Sequence, residues 1–475
     1  MRGQTNMVLD DVRAISQPLA LPNGVVVRNR LVKAAMAEGI GLGGGTPRKG
    51  HSNLYNEWAK GGWGIIISGN VQIDSRHLAS PHDLTLPSHS STLKAYTKLA
   101  STVHETATSP LLVMQISHPG LQSSSTINLS RWPWEAAIAP CRDRPTVSDG
   151  PIGWIWSRAV WPVKSRQIVK SDEWLEIVKK FIDGAVLAEK AGWDGVQVHS
   201  AHGYLLAEYL SPLTNPRPKP LPNVPDYIPI RLHLLYLILK GIQDNTSKSF
   251  IKAVKINCSD FVQGGIDEKQ ATQIVKTLIS WSILDIIEIS GGTYSSPAFA
   301  SPESIKSPSS TSSRSTRQSL FAHFTSTLLP FIPASPNGPA ILLTGGLHDR
   351  NLIVSSLKNK ACDLVGIGRP ACLYPHLPSK IILNENISDE QARFGGYNIP
   401  GSKLMKFILG GSDTKNSIKL VGAGISTMWH EWQLCRIGRG VEPDLNMHWL
   451  KGLIVEELWY EVILGLPVKL WRSWT

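Results

Sequence analysis

The chain has 475 residues, 42% of them apolar, with 48 Lys and Arg against 37 Asp and Glu for a formal charge of +11. That is enough for one large core with residues left over, and a (β/α) barrel takes about 250 residues or more as a single unit. The basic residues are scattered without a run of five or six, which argues against a nucleic-acid surface and for a basic enzyme whose pocket holds phosphate.

Five cysteines (Cys141, Cys258, Cys362, Cys372 and Cys435) lie far apart with no C-x-x-C pair, against a disulfide frame, a zinc site or an iron–sulfur cluster. No basic-then-apolar leader opens the chain, and no run approaches the ~20 apolar residues of a membrane helix. The expectation is a reducing, cytoplasmic location with no integral membrane segment.

Along the chain one unit recurs: a short β-branched run, a polar or glycine turn, then a stretch of helical period. The runs are Leu31–Met36, Gly64–Ser68, Leu111–Ile116, Gly195–His199, Ile251–Asn257, Ile286–Ser290, Ala340–Thr344 and Asp363–Gly368. Their continuous apolar character suits parallel strands buried on both faces. Between the third and fourth runs, Ser171 reads as an N-cap with Asp172 and Glu173 in the first turn, opposing the helix dipole. Behind it Ile177, Phe181, Ala185 and Ala188 form an apolar stripe that stops before Gly192. Eight such units predict a (β/α)8 TIM barrel over residues 15–390, with an open doubly wound sheet as the alternative.

Three stretches depart from the repeat. Residues 119–165 carry Trp132, Trp134, Trp154, Trp156 and Trp161 among prolines, a candidate lid at the C-terminal end of the third strand. Residues 295–316 are rich in Ser and Pro and read as a mobile excursion. From 391 to 475 the pattern gives way to a C-terminal extension with Trp449, Trp459, Trp471 and Trp474, expected to pack on the barrel or a partner subunit, with a membrane-surface helix as the other reading.

Active sites of TIM barrels lie where strands end. The fourth run ends in Val198-His199-Ser200-Ala201-His202-Gly203-Tyr204, two histidines and a phenol close enough to face one cavity. A lone histidine is usually structural, but this clustering favours function. With no H-E-x-x-H and no third ligand in sight, a metal site is not expected.

This segment, continuing through Leu210-Ser211-Pro212-Leu213-Thr214-Asn215, resembles the old yellow enzyme family. The resemblance is carried further by Asn29-Arg30-Leu31-Val32-Lys33-Ala34-Ala35-Met36, Gln115-Ile116-Ser117-His118-Pro119-Gly120, Ser290-Gly291-Gly292, Thr344-Gly345-Gly346 and Gly366-Ile367-Gly368-Arg369-Pro370, all in the family's order. It implies FMN as cofactor, NADPH or NADH as reductant, and an enone-type small molecule as substrate. It also implies roles. His199 and His202 hydrogen-bond the substrate carbonyl and stabilise the developing enolate, as an oxyanion hole does. Tyr204 gives the proton to the α carbon. Gln115 meets the pyrimidine edge of the flavin, and Lys255 provides a cation beside it. A buried charge needs a partner, which the flavin supplies. Ala34, Ala35 and Met36 line the ring, while Gly345, Gly346, Gly368 and Arg369 hold the phosphate.

Gly39-Ile40-Gly41-Leu42-Gly43-Gly44 matches G-x-G-x-x-G, but Gly45-Thr46-Pro47 follows instead of a helix, so it reads as a loop over the flavin. Gly422-Ala423-Gly424 is weaker still. Ala35 stands where many relatives have proline, and Ala37 where they have Thr or Cys. After Asn215 the family's glycine-bearing pattern is replaced by Pro216-Arg217-Pro218-Lys219-Pro220-Leu221-Pro222, recovering near Arg231, so this loop takes another path. The leading expectation is an FMN-dependent ene-reductase. Its alternatives are a flavin-dependent isomerase or cyclase without net reduction, and a degenerate, non-catalytic flavin-binding barrel. The oligomeric state stays open.

Overall fold

The computed structural model describes residues 2–41, 45–143, 150–291, 324–401 and 419–455, apart from the single residues 88, 129, 326, 396 and 398. Eight parallel strands form the centre: β1 (Leu31–Lys33), β2 (Ile65–Gln72), β3 (Leu111–Ser117), β4 (Gly195–Ser200), β5 (Ile251–Asn257), β6 (Ile286–Ser290), β7 (Ala340–Thr344) and β8 (Leu364–Ile367). Each pairs with its sequence neighbours, and Gly366 of β8 lies beside Val32 of β1, which closes the cylinder. This is a (β/α)8 TIM barrel, as the eight apolar runs predict.

Strand alternation divides the buried residues into two sets. Val32, Ile65, Ile67, Val113, Ile251, Ala253, Ile286, Ala340, Leu342 and Leu364 point inward and pack together in the lower half of the cylinder. Leu19, Leu21 and Val27 join them from an N-terminal hairpin (Leu19–Ala20 with Val26–Val27). Each fully buried Ile or Leu there contributes about 1.5–3 kcal/mol. The outward residues Leu31, Ile66, Leu112, Val196, Val254, Ile287, Ile341 and Val365 meet the helices in a second, larger layer.

In chain order the helices include α1 (Arg2–Ser16), α2 (Lys49–Lys60), α3 (Ser90–His104), α4 (Gly150–Val160), α5 (Ser171–Lys190), α6 (Leu205–Leu210), α7 (His233–Asn245), α8 (Glu268–Ser280), α9 (Arg350–Lys358), α10 (Arg369–Leu373) and α11 (Lys419–Gly438). The apolar stripe of α5 is buried as expected. Its cap differs from the expectation: Lys170 takes the N-cap position, Ser171 is already helical, and no side chain caps the turn. The acidic Asp172 and Glu173 still occupy the first turn, where the dipole favours them.

Within residues 119–165, a 3₁₀ turn (Gly120–Gln122) follows β3, α4 lies near the far end, and Ile138–Ala139 pairs with Arg166–Gln167. Arg131 ties this segment down by donating to the Arg76 carbonyl (2.6 Å) and to Ser123 Oγ (2.8 Å). Trp132 and Trp134 stack on one another at the surface, centroids 5.2 Å apart. The Ser/Pro stretch 295–316 lies outside the described residues. So do Trp459, Trp471 and Trp474.

The proline-rich segment after Asn215 is held by three side chains, one of them Tyr209, whose Oη donates to the Lys219 carbonyl (3.3 Å). Arg231 donates to the carbonyls of Asn215 (2.7 Å) and Leu210 (3.3 Å). His233 Nδ1 accepts from the Leu221 amide (3.1 Å), and its Nε2 lies 3.1 Å from the Ile228 carbonyl. Prolines cannot donate from the backbone, so side chains supply the fixing contacts here. The C-terminal α11 packs on α2 and α10. Asn53 donates to the Gly438 carbonyl (2.8 Å), and Trp429 and Trp432 are buried with Leu373, Met447 and Trp449. Among the described residues no helix is long and apolar enough to cross a membrane.

Candidate active site

Above the apolar lower half, the same inward positions turn polar. Gln115, Gln197, His199, Lys255, Asn257, Glu288, Ser290 and Thr344 stand at the C-terminal ends of β3 to β7. His199 lies level with Lys255, and Lys255 with Glu288. Lys255 Nζ is 3.0 Å from Glu288 Oε1, with the side chains 5% and 0% exposed, and Gln197 Nε2 donates to Glu288 Oε2 (2.7 Å). The Lys255 charge thus has a partner within the barrel itself, besides the flavin expected from the resemblance. A buried ammonium is held by a carboxylate inside the barrel, because an unpaired one would cost several kcal/mol.

At the end of β4 the chain turns sharply. His202 has φ +60°, in the left-handed region that non-glycine residues rarely enter, and Gly203 follows at φ +72°. The Asn257 side chain accepts from the His202 amide (3.2 Å), and His202 Nε2 lies 2.7 Å from Ser290 Oγ. The turn folds His202 and Tyr204 back over His199. The imidazole centroids are 5.1 Å apart at 85°, and the Tyr204 ring lies 4.6 Å from that of His199. Burial holds His199 well below the usual histidine range, and the Lys255 charge pushes the same way, so the ring is neutral at physiological pH.

Asn70 joins this group, though nothing in its sequence neighbourhood marks it out. Its Nδ2 donates to Tyr204 Oη (3.1 Å), and its Oδ1 accepts from Gln115 Nε2 (2.7 Å). Gln115 Oε1 and His199 Nδ1 are buried without a hydrogen-bond partner, as is Thr344 Oγ1. Orphaned polar atoms at three strand ends are costly unless a ligand satisfies them. Gly345 and Gly346 follow β7 at φ +108° and +78°, conformations that free their amides in a way other residues resist. Met36, just past β1, packs its sulfur against Gly368, and Arg369 opens α10 half-buried. Ala34 donates its amide to the Ile367 carbonyl (3.0 Å), so residues 34–36 run beside the end of β8. These residues therefore lie around one end of the cylinder, and the donor set fits FMN: amide and hydroxyl groups for a polar ring edge, glycine amides and an arginine for a phosphate.

A glycine motif and a side-chain cluster stand apart from this constellation. The glycines from Gly39 precede α2 by several residues, since the helix begins only at Lys49, and 42–44 lie outside the described residues. Asp74, His77 and His118 gather with potential ligand atoms within 4.8 Å of one another. However, His118 Nδ1 accepts from the Gly120 amide (3.1 Å), so in the neutral ring Nε2 carries the proton and has no lone pair for a metal. The Lys180 ammonium, 2.6 Å from Asp74 Oδ2, already supplies a cation there.

A sequence profile of the NADH:flavin oxidoreductase / NADH oxidase family matches residues 14–389, most of the chain. The chain belongs to this family. The chain is similar to the NADH-dependent flavin oxidoreductase iliE of Hypocrea jecorina, 34% identical over 395 residues, 82% of this chain and 94% of that protein. NADH-dependent flavin oxidoreductase iccE of Talaromyces variabilis is 28% identical, covering 79% of this chain and 87% of that one. In fold the chain is similar to an old yellow enzyme homologue from Zymomonas mobilis, with TM-score 0.59, 20% identity, and 77% and 91% of the two chains covered. As a member of this family, the protein is an oxidoreductase that works with FMN and a reduced nicotinamide.

Proposed function

We propose that this oxidoreductase reduces the activated C=C bond of an α,β-unsaturated carbonyl compound. The observation that carries the reading is the convergence of His199, His202 and Tyr204 over the Gln115 and Lys255 positions at the mouth of the barrel. When bound, FMN supplies the two-electron carrier between the nicotinamide and the alkene. Gln115 and Lys255, with the backbone of Ala34, Ala35 and Met36, would hold its ring, and Gly345, Gly346, Gly368 and Arg369 its phosphate.

His199 and His202 would grip the substrate carbonyl oxygen. Each imidazole can present a ring N–H, and such donors act best on charge that grows during the reaction, here the enolate oxygen. Tyr204 would deliver its proton to the α carbon as the β carbon receives hydride. The pair Lys255–Glu288 keeps a positive group near the floor of the site while its carboxylate partner cancels the cost of burying it.

The test is a two-stage anaerobic titration. The purified protein should be yellow, should bleach with NADH or NADPH, and should regain colour when a cyclic enone such as cyclohexenone is added. A flavin that bleaches yet ignores a panel of enones would remove this reading and leave the isomerase and non-catalytic alternatives.

A further inference from the structure

Strict alternation along β2 would point Ile65, Ile67, Gly69 and Val71 into the barrel and turn Asn70 outward among the helices. The strand does something else. Ile67 pairs with Val113, but Asn70 pairs with Gln115, so three steps on β2 match two on β3. The extra residue makes a bulge at Ser68-Gly69, and beyond it the inward and outward faces exchange. Val71 and not Asn70 then joins the outer apolar layer.

The bulge is fixed from several sides. Ser68 Oγ accepts from the Gln115 amide (2.9 Å). Buried Glu38 accepts at Oε1 from both the Gly69 amide and Tyr55 Oη, each at 2.7 Å. A Cβ on Gly69 would stand 2.1 Å from Glu38 Oε2 and 2.6 Å from the Met36 carbonyl, so no larger residue fits. An arrangement this constrained serves to re-aim one side chain, and that side chain is Asn70.

We propose that Asn70 is a positioning residue for proton transfer, one that fixes the polarity of Tyr204 and the orientation of Gln115 at once. The inference rests on the ene-reductase reading above. The Asn70 oxygen accepts from Gln115 Nε2, so the amide presents N–H to Tyr204. Because Tyr204 Oη accepts this bond, its own hydrogen is directed away from Asn70. The same N–H stabilises the phenoxide left behind, which weakens the phenol's hold on its proton. In the step itself the Tyr204 O–H bond breaks and a C–H bond forms at the substrate α carbon. The β carbon has taken hydride that came from the nicotinamide, and solvent later returns a proton to the phenoxide. On the other side, the fixed Gln115 amide turns its unpartnered Oε1 toward the cavity, as an acceptor for an N–H of the flavin's pyrimidine edge.

Two variants separate these roles. Asn70→Asp keeps an acceptor for Gln115 but only accepts from Tyr204, so it reverses the bond and draws the phenol proton the wrong way. Asn70→Ala removes both contacts. In anaerobic rapid mixing of the FMN-loaded protein, Asn70→Asp should leave reduction by NADH or NADPH nearly unchanged and slow reoxidation by cyclohexenone at least about tenfold, the scale of one charge-assisted hydrogen bond. Its solvent deuterium isotope effect on reoxidation should rise, because proton delivery becomes limiting. FMN affinity, followed by quenching of flavin fluorescence on adding apoprotein, should stay near wild type in Asn70→Asp and fall about fivefold in Asn70→Ala, where Gln115 is released. Ultraviolet titration, with each protein measured against its own Tyr204→Phe version, should show the Tyr204 phenol ionising at higher pH in both variants.

Unchanged reoxidation and isotope effect in Asn70→Asp, or equal slowing of the two half-reactions, would overturn the proposal. So would a phenol whose ionisation does not move. If the wild-type flavin is indifferent to enones, the ene-reductase reading fails by itself. The phenol titration and the FMN affinities then still decide whether Asn70 orients Tyr204 and Gln115.

Discussion

The barrel interior contains two regions built on the same eight strands, and they differ in almost every physical respect. The lower half is a closed apolar cluster plugged by a hairpin. Further along β3 to β7, the upper half holds an ion pair, a histidine at the centre of an aromatic group, and buried polar atoms of Gln115, Gln197, His199 and Thr344 with no hydrogen-bond partner. The lower half is complete as it stands, and its contribution is stability. The upper half carries buried donors and acceptors that the proposed flavin and substrate would meet.

If that contrast is right, acid should act on the protein while leaving the apolar cluster without a direct part. His51 (held down to about 3), His430 (about 4), His118 and His199 are all depressed from the ordinary 6.5 by burial. A depressed folded pKa means the unfolded chain binds more protons below 6.5. The stability these rings provide is therefore complete above that pH and is lost as pH falls toward their folded values, at roughly 1.4 kcal/mol per unit for each ring. Asp83 and Asp285, pushed up to about 6 by burial, act in the opposite sense between 6 and the unfolded 3.8, and Asp194, Asp260 and Asp363, also raised by burial, add to this, so part of the loss is offset. The expected net effect is a loss of stability between pH 6.5 and 5, read from urea unfolding at a series of pH values. A flat profile would mean the rings are not buried and neutral.

Next in size is Lys255→Met. It leaves Glu288 charged and buried with only Gln197 beside it, and should destabilise the fold by about 3–5 kcal/mol in denaturant unfolding. Adding Glu288→Gln should restore much of that stability without restoring enone reduction. Somewhat smaller is Ile286→Ala in the lower half, expected to cost about 3 kcal/mol through lost burial and a residual cavity. FMN affinity should change little, because the apolar cluster lies below the polar layer. Should Ile286→Ala weaken FMN binding as much as Lys255→Met does, the division into a structural and a ligand-facing half is wrong. The smallest stability change belongs to Tyr204→Phe, which should alter unfolding by about 1 kcal/mol at most while slowing reoxidation by enone on the order of 100-fold. Flavin reduction by the nicotinamide should be nearly untouched, and comparable slowing there would assign Tyr204 another task.

How legible was this in the residues? The eight strands were, because a parallel strand buried on both faces must be apolar at nearly every position and the runs are short enough to exclude helices. The group His199, His202 and Tyr204 was legible too, since three polar side chains in six residues at a strand end have few structural uses. Asn70 was not. Its inward placement depends on one extra residue in β2, and a bulge shows itself only in the register with β3. Glu288 was hidden for a similar reason: Ile286-Ile287-Glu288 gives no hint that the carboxylate meets Lys255 from the neighbouring strand. The Ser171 cap failed by one position, as helix ends often do, with Lys170 there instead.

Sequence alone determined the periodicity of the chain, hence the barrel, and the chemical types gathered at its strand ends, because both depend on local order. Which of those side chains touch was decided only in three dimensions. The pairing of Lys255 with Glu288, the turn that folds His202 and Tyr204 over His199, and the exchange of faces that brings Asn70 inside all depend on inter-strand register. Register is a relation between segments far apart in the chain, and it is set when the whole cylinder closes.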